Sequence, residues 1–231
     1  RVVVTGLGAV TPLGHTTADF WRGIQNGESG VGPITQFDAS NHATKYAAEV
    51  TDFDAKQRID RRDARKMDRF SQFTVYAALE AWENAGLNGS VDKNRVGVVM
   101  GNGIGGFNTT EDSLRTLDQK GPDRVPPMTI PKMITNIAPA NVALALQVHG
   151  PVFSLATACA SATDAVGQSV LNIRAGLADV IVAGGVEASI TTLGVAGFNV
   201  IGALSTKYTD DPKRASRPFD KDRDGFVMAE G

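Results

Sequence analysis

The chain carries a single thiol, Cys159, within the run Ser154-Leu155-Ala156-Thr157-Ala158-Cys159-Ala160-Ser161-Ala162-Thr163-Asp164. One cysteine excludes an intramolecular disulfide and a cysteine-based metal cage, which leaves packing or nucleophilic chemistry. The apolar run before it ends in small residues, and Ala162, Ala165, Val166, Val170 and Ile173 follow at helical spacing, so the thiol falls at a strand-to-helix turn. Ser161 and Asp164 have the spacing of a capping box. Close to a helix N-terminus, unpaired N–H groups and the positive end of the dipole favour a thiolate, and the same amides can donate to an oxyanion. Small neighbours leave room for a substrate. A free cysteine also serves as a small buried hydrophobe, and composition and spacing leave both readings open. A cysteine nucleophile wants a base. His15 and His42 sit in Gly- or Asn-rich loops and His149 precedes Gly150-Pro151, so all three read as turn residues. If Cys159 is catalytic, its histidine is expected outside this chain.

A second candidate is cationic. Arg58, Arg61, Arg62, Arg65, Lys66 and Arg69 recur at helical spacing, and on a helix they fill an arc of about 140° with Asp60 and Asp63 opposite. Such a run is often only a solvated face; its functional alternative is a docking site for an acidic partner, with charge steering the encounter. A third candidate is Gly101-Asn102-Gly103-Ile104-Gly105-Gly106, which follows an apolar run and precedes a helical pattern. It matches the dinucleotide fingerprint in letters. The acidic residue that should hold a ribose about 20 positions later is absent, because Asp118 and Asp123 fall in a helix end and a Lys-Gly-Pro loop. Tight turns and close backbone approach account for these glycines better.

The elements that position these groups follow from periodicity. Runs apolar on both faces at Val2 to Thr5, Arg95 to Met100, Pro151 to Ala156 and Asp179 to Ala183 predict buried strands. Helical patterns cover Thr17 to Asn26, Phe70 to Ala85, Phe107 to Gln119, Pro131 to Val148 and Ala162 to Ala175, several of them stopped by glycine. Strands alternating with helices predict an α/β class with a mostly parallel sheet covered on both faces. Residues 206 to 224 crowd eleven charges into one stretch and predict a surface loop.

Composition narrows the function. With 23 Lys+Arg against 25 Asp+Glu the net charge is −2, which argues against a general nucleic-acid or membrane-surface binder. The 25 glycines exceed ordinary usage of about 7% and fit a chain of tight turns. No uninterrupted apolar run reaches the roughly 18 residues that span a bilayer, and a soluble, cytoplasmic protein is expected.

Thr-Ala-Cys-Ala-Ser at 157–161, Val-Val-Val-Thr-Gly-Leu-Gly at 2–8, Gly-Asn-Gly-Ile-Gly-Gly at 101–106 and Arg-Pro-Phe-Asp-Lys-Asp-Arg-Asp-Gly-Phe-Val at 217–227 occur together in order. In these motifs the chain resembles the N-terminal part of β-ketoacyl-acyl-carrier-protein synthase II, a condensing enzyme of the thiolase superfamily. The resemblance implies a thiolase-like layered αβαβα fold, of which mostly the N-terminal half is present, and a homodimer. It implies that residues 1–231 are continued by a C-terminal half holding two histidines and a gating loop, without which the fragment itself is expected to be inactive. The implied activity is an acyltransferase of fatty-acid biosynthesis, condensing malonyl carrier protein with an acyl thioester. A polyketide ketosynthase and an inactive assembly subunit are the alternatives.

Carried over by position, Cys159 is the nucleophile and its N–H half of an oxyanion hole. Ile104, Phe107, Ala158 and Phe198 line the acyl pocket, with Ile134 and Ile137 closing it from the partner subunit. Arg62, Arg65 and Lys66 dock acyl carrier protein, while a further basic position of the family is Gly202 here. No metal or other cofactor is implied, since phosphopantetheine arrives on the carrier.

Overall fold

The structure is a computed structural model that describes every residue except 88 and 90. Helix α1 (Thr17–Gln25) is capped by Thr16 and precedes a two-residue antiparallel pair, β1 (Gly32–Pro33) with β2 (Tyr46–Ala47). A one-turn helix α2 (Arg61–Ala64) leads into the long α3 (Arg69–Asn84). Then come β3 (Val96–Gly101), α4 (Phe107–Lys120), α5 (Thr129–Met133), α6 (Ile137–Leu146), β4 (Val152–Leu155), α7 (Ser161–Arg174), β5 (Val180–Gly185) and α8 (Thr192–Val200).

β4, β3 and β5 form a parallel sheet in that order, with Val98 opposite Val152 on one side and Val182 on the other. All six residues of the central β3 are buried, so its valines are apolar on both faces, as a helix-covered parallel strand requires. Val96, Val98 and Met100 pack with Phe70, Phe73 and Val142 of α3 and α6. Each large side chain buried there contributes about 2 kcal/mol. The other face receives α7, whose buried residues are Ser161, Ala165 and Ser169. The α/β class holds. α7 meets the sheet along this small-residue edge and leaves Val166 of the apolar spacing, and Leu171 beside it, more than half exposed.

Two expectations are corrected. Val2 to Thr5 is not a strand: Val3 and Val4 are 64% and 80% exposed, and no residue of the run belongs to a sheet. The backbone N–H groups that follow are taken by α3, Leu7 donating to Asn84 Oδ1 (3.0 Å) and Ala9 to Glu80 Oε2 (2.9 Å). The small side of α3 makes this possible, since a Cβ on Gly8 would stand 1.9 Å from the Ala77 carbonyl. A slot of about 230 Å³ is lined by this segment and by β5, and among the described residues no ladder joins the two. The second correction is that Pro131 to Val148 is two helices, interrupted at Ile134, whose backbone is extended. The interruption presents the Met133 and Thr135 carbonyls to the Gly106 N–H (3.0 Å) and the Asn102 side chain (3.1 Å).

Candidate active site

The carboxyl ends of the three parallel strands converge, the place where open α/β sheets bind ligands. β3 runs into the glycine-rich turn 101–106, β4 into the cysteine turn, and β5 into Val186-Glu187. Gly101 permits the approach of α7: a Cβ there would lie 2.2 Å from the Ser161 carbonyl carbon. Gly105 turns the chain at φ +84° and lies against the Met133 carbonyl. Ile104, 41% exposed, rides on this turn.

Cys159 is exposed and occupies the middle of a single 3-10 turn, Ala158–Ala160, directly before α7. Ala158 has φ +53°, a left-handed backbone for a residue with a Cβ, a strain of about 1 kcal/mol or more of the kind that clusters at functional sites. The turn is held from both sides. The Thr157 N–H donates to Ser161 Oγ (2.9 Å), whose hydroxyl donates to the Ala158 carbonyl (2.6 Å). The Thr157 hydroxyl donates to Asp164 Oδ2 (2.5 Å). This corrects the capping-box expectation. The N-cap of α7 is Ala160, with no side-chain cap, because Ser161 is already inside the helix and both polar side chains reach back to Thr157. Among the described residues the Cys159 N–H has no hydrogen-bond acceptor. An exposed sulfur therefore stands beside an unclaimed donor at the positive end of a 14-residue helix, an arrangement that can stabilise an oxyanion formed by attack of that sulfur.

The other predicted residues are distributed as follows. Phe107 opens α4 and has its ring edge near Gly194, 3.2 Å from a Cβ built there. Ile134 is 39% exposed in the break between α5 and α6, adjoining the contacts that Gly105 and Gly106 make with Lys132, Met133 and Thr135. Ile137 packs on the main core. Phe198 belongs to a separate small core with Ile190, Val195 and Leu204, edge-on to Phe226. Thus the turn 101–106, the 132–135 break and the cysteine turn are brought together, while Phe198 is anchored in its own cluster.

None of the imidazoles hydrogen-bonds the cysteine turn among the described residues. His15 stacks edge-on against Phe53 and His42 Nε2 lies 3.1 Å from the Thr192 carbonyl.

Glu187 is a member that the sequence reading missed. Its Oε2 accepts the Gly103 N–H (2.8 Å) and its Oε1 the Ser189 hydroxyl (3.0 Å). Burial pushes this carboxyl above the usual range, opposed by donation from Gly103, Ser189, Ile104 and Gly105. The available signal was a charged residue directly after an apolar strand at the sheet's carboxyl edge.

The basic stripe is not one helix. Only Arg61–Ala64 is helical before α3, with Asp60 accepting the Arg62 N–H (2.7 Å). Arg62, Arg65 and Lys66 are exposed. Lys66 pairs with Asp63 at 2.9 Å, whereas Arg62 and Arg65 have no carboxylate within ion-pair distance among the described residues. Arg58 and Arg69 leave the stripe. Arg58 bonds Glu83 (2.6 Å) over the Tyr76 ring, and Arg69 bonds the fully buried Glu230 (2.6 Å). Their guanidinium groups lie over the Tyr76 and Phe73 rings of α3, so ion pairing and ring contact draw these two cations away from the solvated face.

Comparison with known proteins gives this site its context. A model of the beta-ketoacyl synthase N-terminal domain matches residues 1–231. The 3-oxoacyl-[acyl-carrier-protein] synthase 2 of Synechocystis sp. is 48% identical over the whole chain, which spans 56% of that protein's length. A beta-ketoacyl synthase from Burkholderia phymatum STM815 superposes with a TM-score of 0.87 at 30% identity, over 98% of this chain and 56% of that one. A type II polyketide ketosynthase solved with its acyl carrier protein and bound to a hexaketide superposes at 0.86 with 31% identity, over 100% of this chain and 56% of the neighbour. These neighbours share the thiolase-like fold.

Proposed function

The chain belongs to the β-ketoacyl synthase family as its N-terminal domain, and from that premise we propose that it is the nucleophile-bearing part of a 3-oxoacyl-[acyl-carrier-protein] synthase acting in fatty-acid elongation. The observation that carries the reading is Cys159, exposed on a strained turn beside its own unclaimed N–H at the start of α7. The Cys159 sulfur attacks the carbonyl carbon of an acyl thioester on acyl carrier protein. The oxyanion rests on the Cys159 N–H and then collapses, breaking the bond to the phosphopantetheine sulfur, which leaves with the thiol proton. Malonyl carrier protein follows. Its carboxylate departs as CO₂, and the bonding pair left on carbon attacks the Cys159 thioester, releasing β-ketoacyl carrier protein and the Cys159 thiolate, which takes one proton from water to restore the thiol. Splitting one acyl transfer into two steps is what a covalent nucleophile provides.

The base and the second half of the oxyanion hole come from the remainder of the ketosynthase unit, residues 1–231 being its N-terminal portion. Ile104, Phe107 and Ala158 border the acyl chain, with Phe198 further along it. Arg62, Arg65 and Lys66 meet the acidic carrier, a role supported by two exposed arginines without carboxylate partners among the described residues. The protein acts as a cytoplasmic homodimer joined across β4, an edge strand whose Val152 is 37% exposed; Ile134 and Ile137 then face the neighbouring subunit's pocket. Among the described residues no helix is long and apolar enough to cross a membrane. The 48% identity to a fatty-acid relative against 31% to a polyketide ketosynthase favours the former pathway.

The test is product formation. The full-length protein, given acyl and malonyl carrier protein, should yield β-ketoacyl carrier protein longer by one malonyl-derived unit, and Cys159→Ala should abolish it. Product at the wild-type rate from that variant would sink the assignment.

A further inference from the structure

Glu187 is tied to more of the site than any other side chain outside the cysteine turn. It lies two residues past the end of β5, and its backbone exchanges both hydrogen bonds with Gly231 at 3.0 Å, which fixes where its side chain starts. The carboxylate then crosses to the end of β3, taking the Gly103 N–H at 2.8 Å. Ser189, itself buried, holds the other oxygen. No Lys, Arg or His lies within ion-pair distance of it among the described residues, so its partners are neutral donors. A Cβ built on Gly103 would be 2.9 Å from Glu187 Oε2 and 4.0 Å from Ala158 Cα. The clamped turn therefore backs directly onto the residue preceding Cys159. The same turn carries Ile104, and its far end is fixed through Gly105 and Gly106 against residues 132–135 and into the start of α4. Its chain neighbours Val186 and Ala188 belong to the main hydrophobic core, so the backbone that carries the carboxylate is anchored while the carboxylate itself bonds this turn and Ser189.

We propose that Glu187 is a positioning residue that holds the 103–105 turn against the cysteine turn, and that this clamp sets which acyl chains Cys159 accepts. The inference rests on the reading of Cys159 as the acyl-accepting nucleophile. Without the carboxylate, the Gly103 N–H loses its acceptor, the turn relaxes, and Ile104 no longer borders the chain beside the sulfur. A long chain, which must pass Ile104, is affected more than a short one, which ends before it.

The test uses the full-length protein. Acylation of Cys159 is followed by mass spectrometry with a short-chain and a long-chain acyl carrier protein, and Cys159 alkylation by iodoacetamide is followed alongside. Glu187→Ala should lower the long-to-short ratio about tenfold, the equivalent of one unsatisfied donor, while alkylation stays close to the wild-type rate. Glu187→Gln should recover most of the ratio, because its amide oxygen can still accept from Gly103. Gly103→Ala approaches the clamp from the other side: its new Cβ displaces the carboxylate, and the ratio should shift in the same direction even if Glu187→Ala does not fold. Equal losses for both chains, a Glu187→Gln ratio as low as that of Glu187→Ala, or an unchanged ratio in Gly103→Ala would each overturn the proposal. A wild-type protein alkylated but never acylated at Cys159 would instead remove the underlying reading.

Discussion

Arg69→Met separates the two kinds of cation that share one spacing in the sequence. Arg69 donates through Nε (2.9 Å) and Nη2 (2.6 Å) to Glu230, and also to the Val50 carbonyl (2.6 Å). Its guanidinium lies 4.7 Å from the Phe73 ring centroid, a contact that methionine preserves in part. The Glu230 side chain is 0% exposed and keeps two other donors, the Val50 N–H (2.8 Å) and Gln36 Nε2 (2.9 Å). Removing one partner of a buried pair costs about 3–5 kcal/mol. With Arg69 itself 27% exposed and two neutral donors remaining, the lower end applies, a loss of about 3 kcal/mol. Arg65→Met, at an exposed position without a carboxylate partner among the described residues, should stay within about 0.5 kcal/mol of wild type. Urea unfolding of the full-length protein and both variants gives the comparison. Introducing Glu230→Gln into Arg69→Met removes the uncompensated charge and should restore about 1–2 kcal/mol. An Arg69→Met loss below about 1 kcal/mol, or one equal to that of Arg65→Met, would refute the separation of this residue from the surface stripe.

Charge reversal at Arg62 and Arg65 should raise KM for carrier-bound substrate far more than for a small thioester, with the difference shrinking as salt rises; equal changes for both substrates would remove the docking role. Ala158→Val places a β-branched residue at φ +53° and should destabilise by about 2 kcal/mol while slowing acylation; unfolding at the wild-type midpoint would contradict the strained turn. The raised carboxyl of Glu187 predicts a pH effect. Between the ordinary glutamate value and the raised one, the folded state holds more protons than the unfolded state, so stability falls as pH rises through that window. Glu187→Gln should remove this fall, and an unchanged pH profile of the melting temperature would count against it.

Much of the fold was legible because periodicity and burial agree. Val96 to Gly101 is apolar on both faces and lies at the centre of a parallel sheet, and Phe70 and Phe73 anchor α3 in the core that the sheet requires. Cys159 was legible because small residues between a strand and a helix leave few other places for a thiol. Apart from the capping box, whose side chains turn back to the nearby Thr157, the failures share a cause: a local pattern was overridden by a distant partner. Val2 to Thr5 has strand composition, yet the segment it opens is hydrogen-bonded to Asn84 and Glu80. Residues 131–148 keep helical spacing, but the turn at 101–106 needs carbonyls from their middle. Arg58 and Arg69 match the stripe in spacing while their acids lie 25 and 161 residues away. Glu187 was invisible for the same reason, its Gly103 donor being 84 residues earlier in the chain.

The most direct measurement is the mass of the tryptic peptide that holds Cys159 after the full-length protein meets an acyl carrier protein thioester with malonyl carrier protein withheld. The account predicts a gain of one acyl group on that peptide, released by hydroxylamine and absent from Cys159→Ala. An unmodified Cys159 peptide, or an acyl group that persists elsewhere in Cys159→Ala, would contradict it.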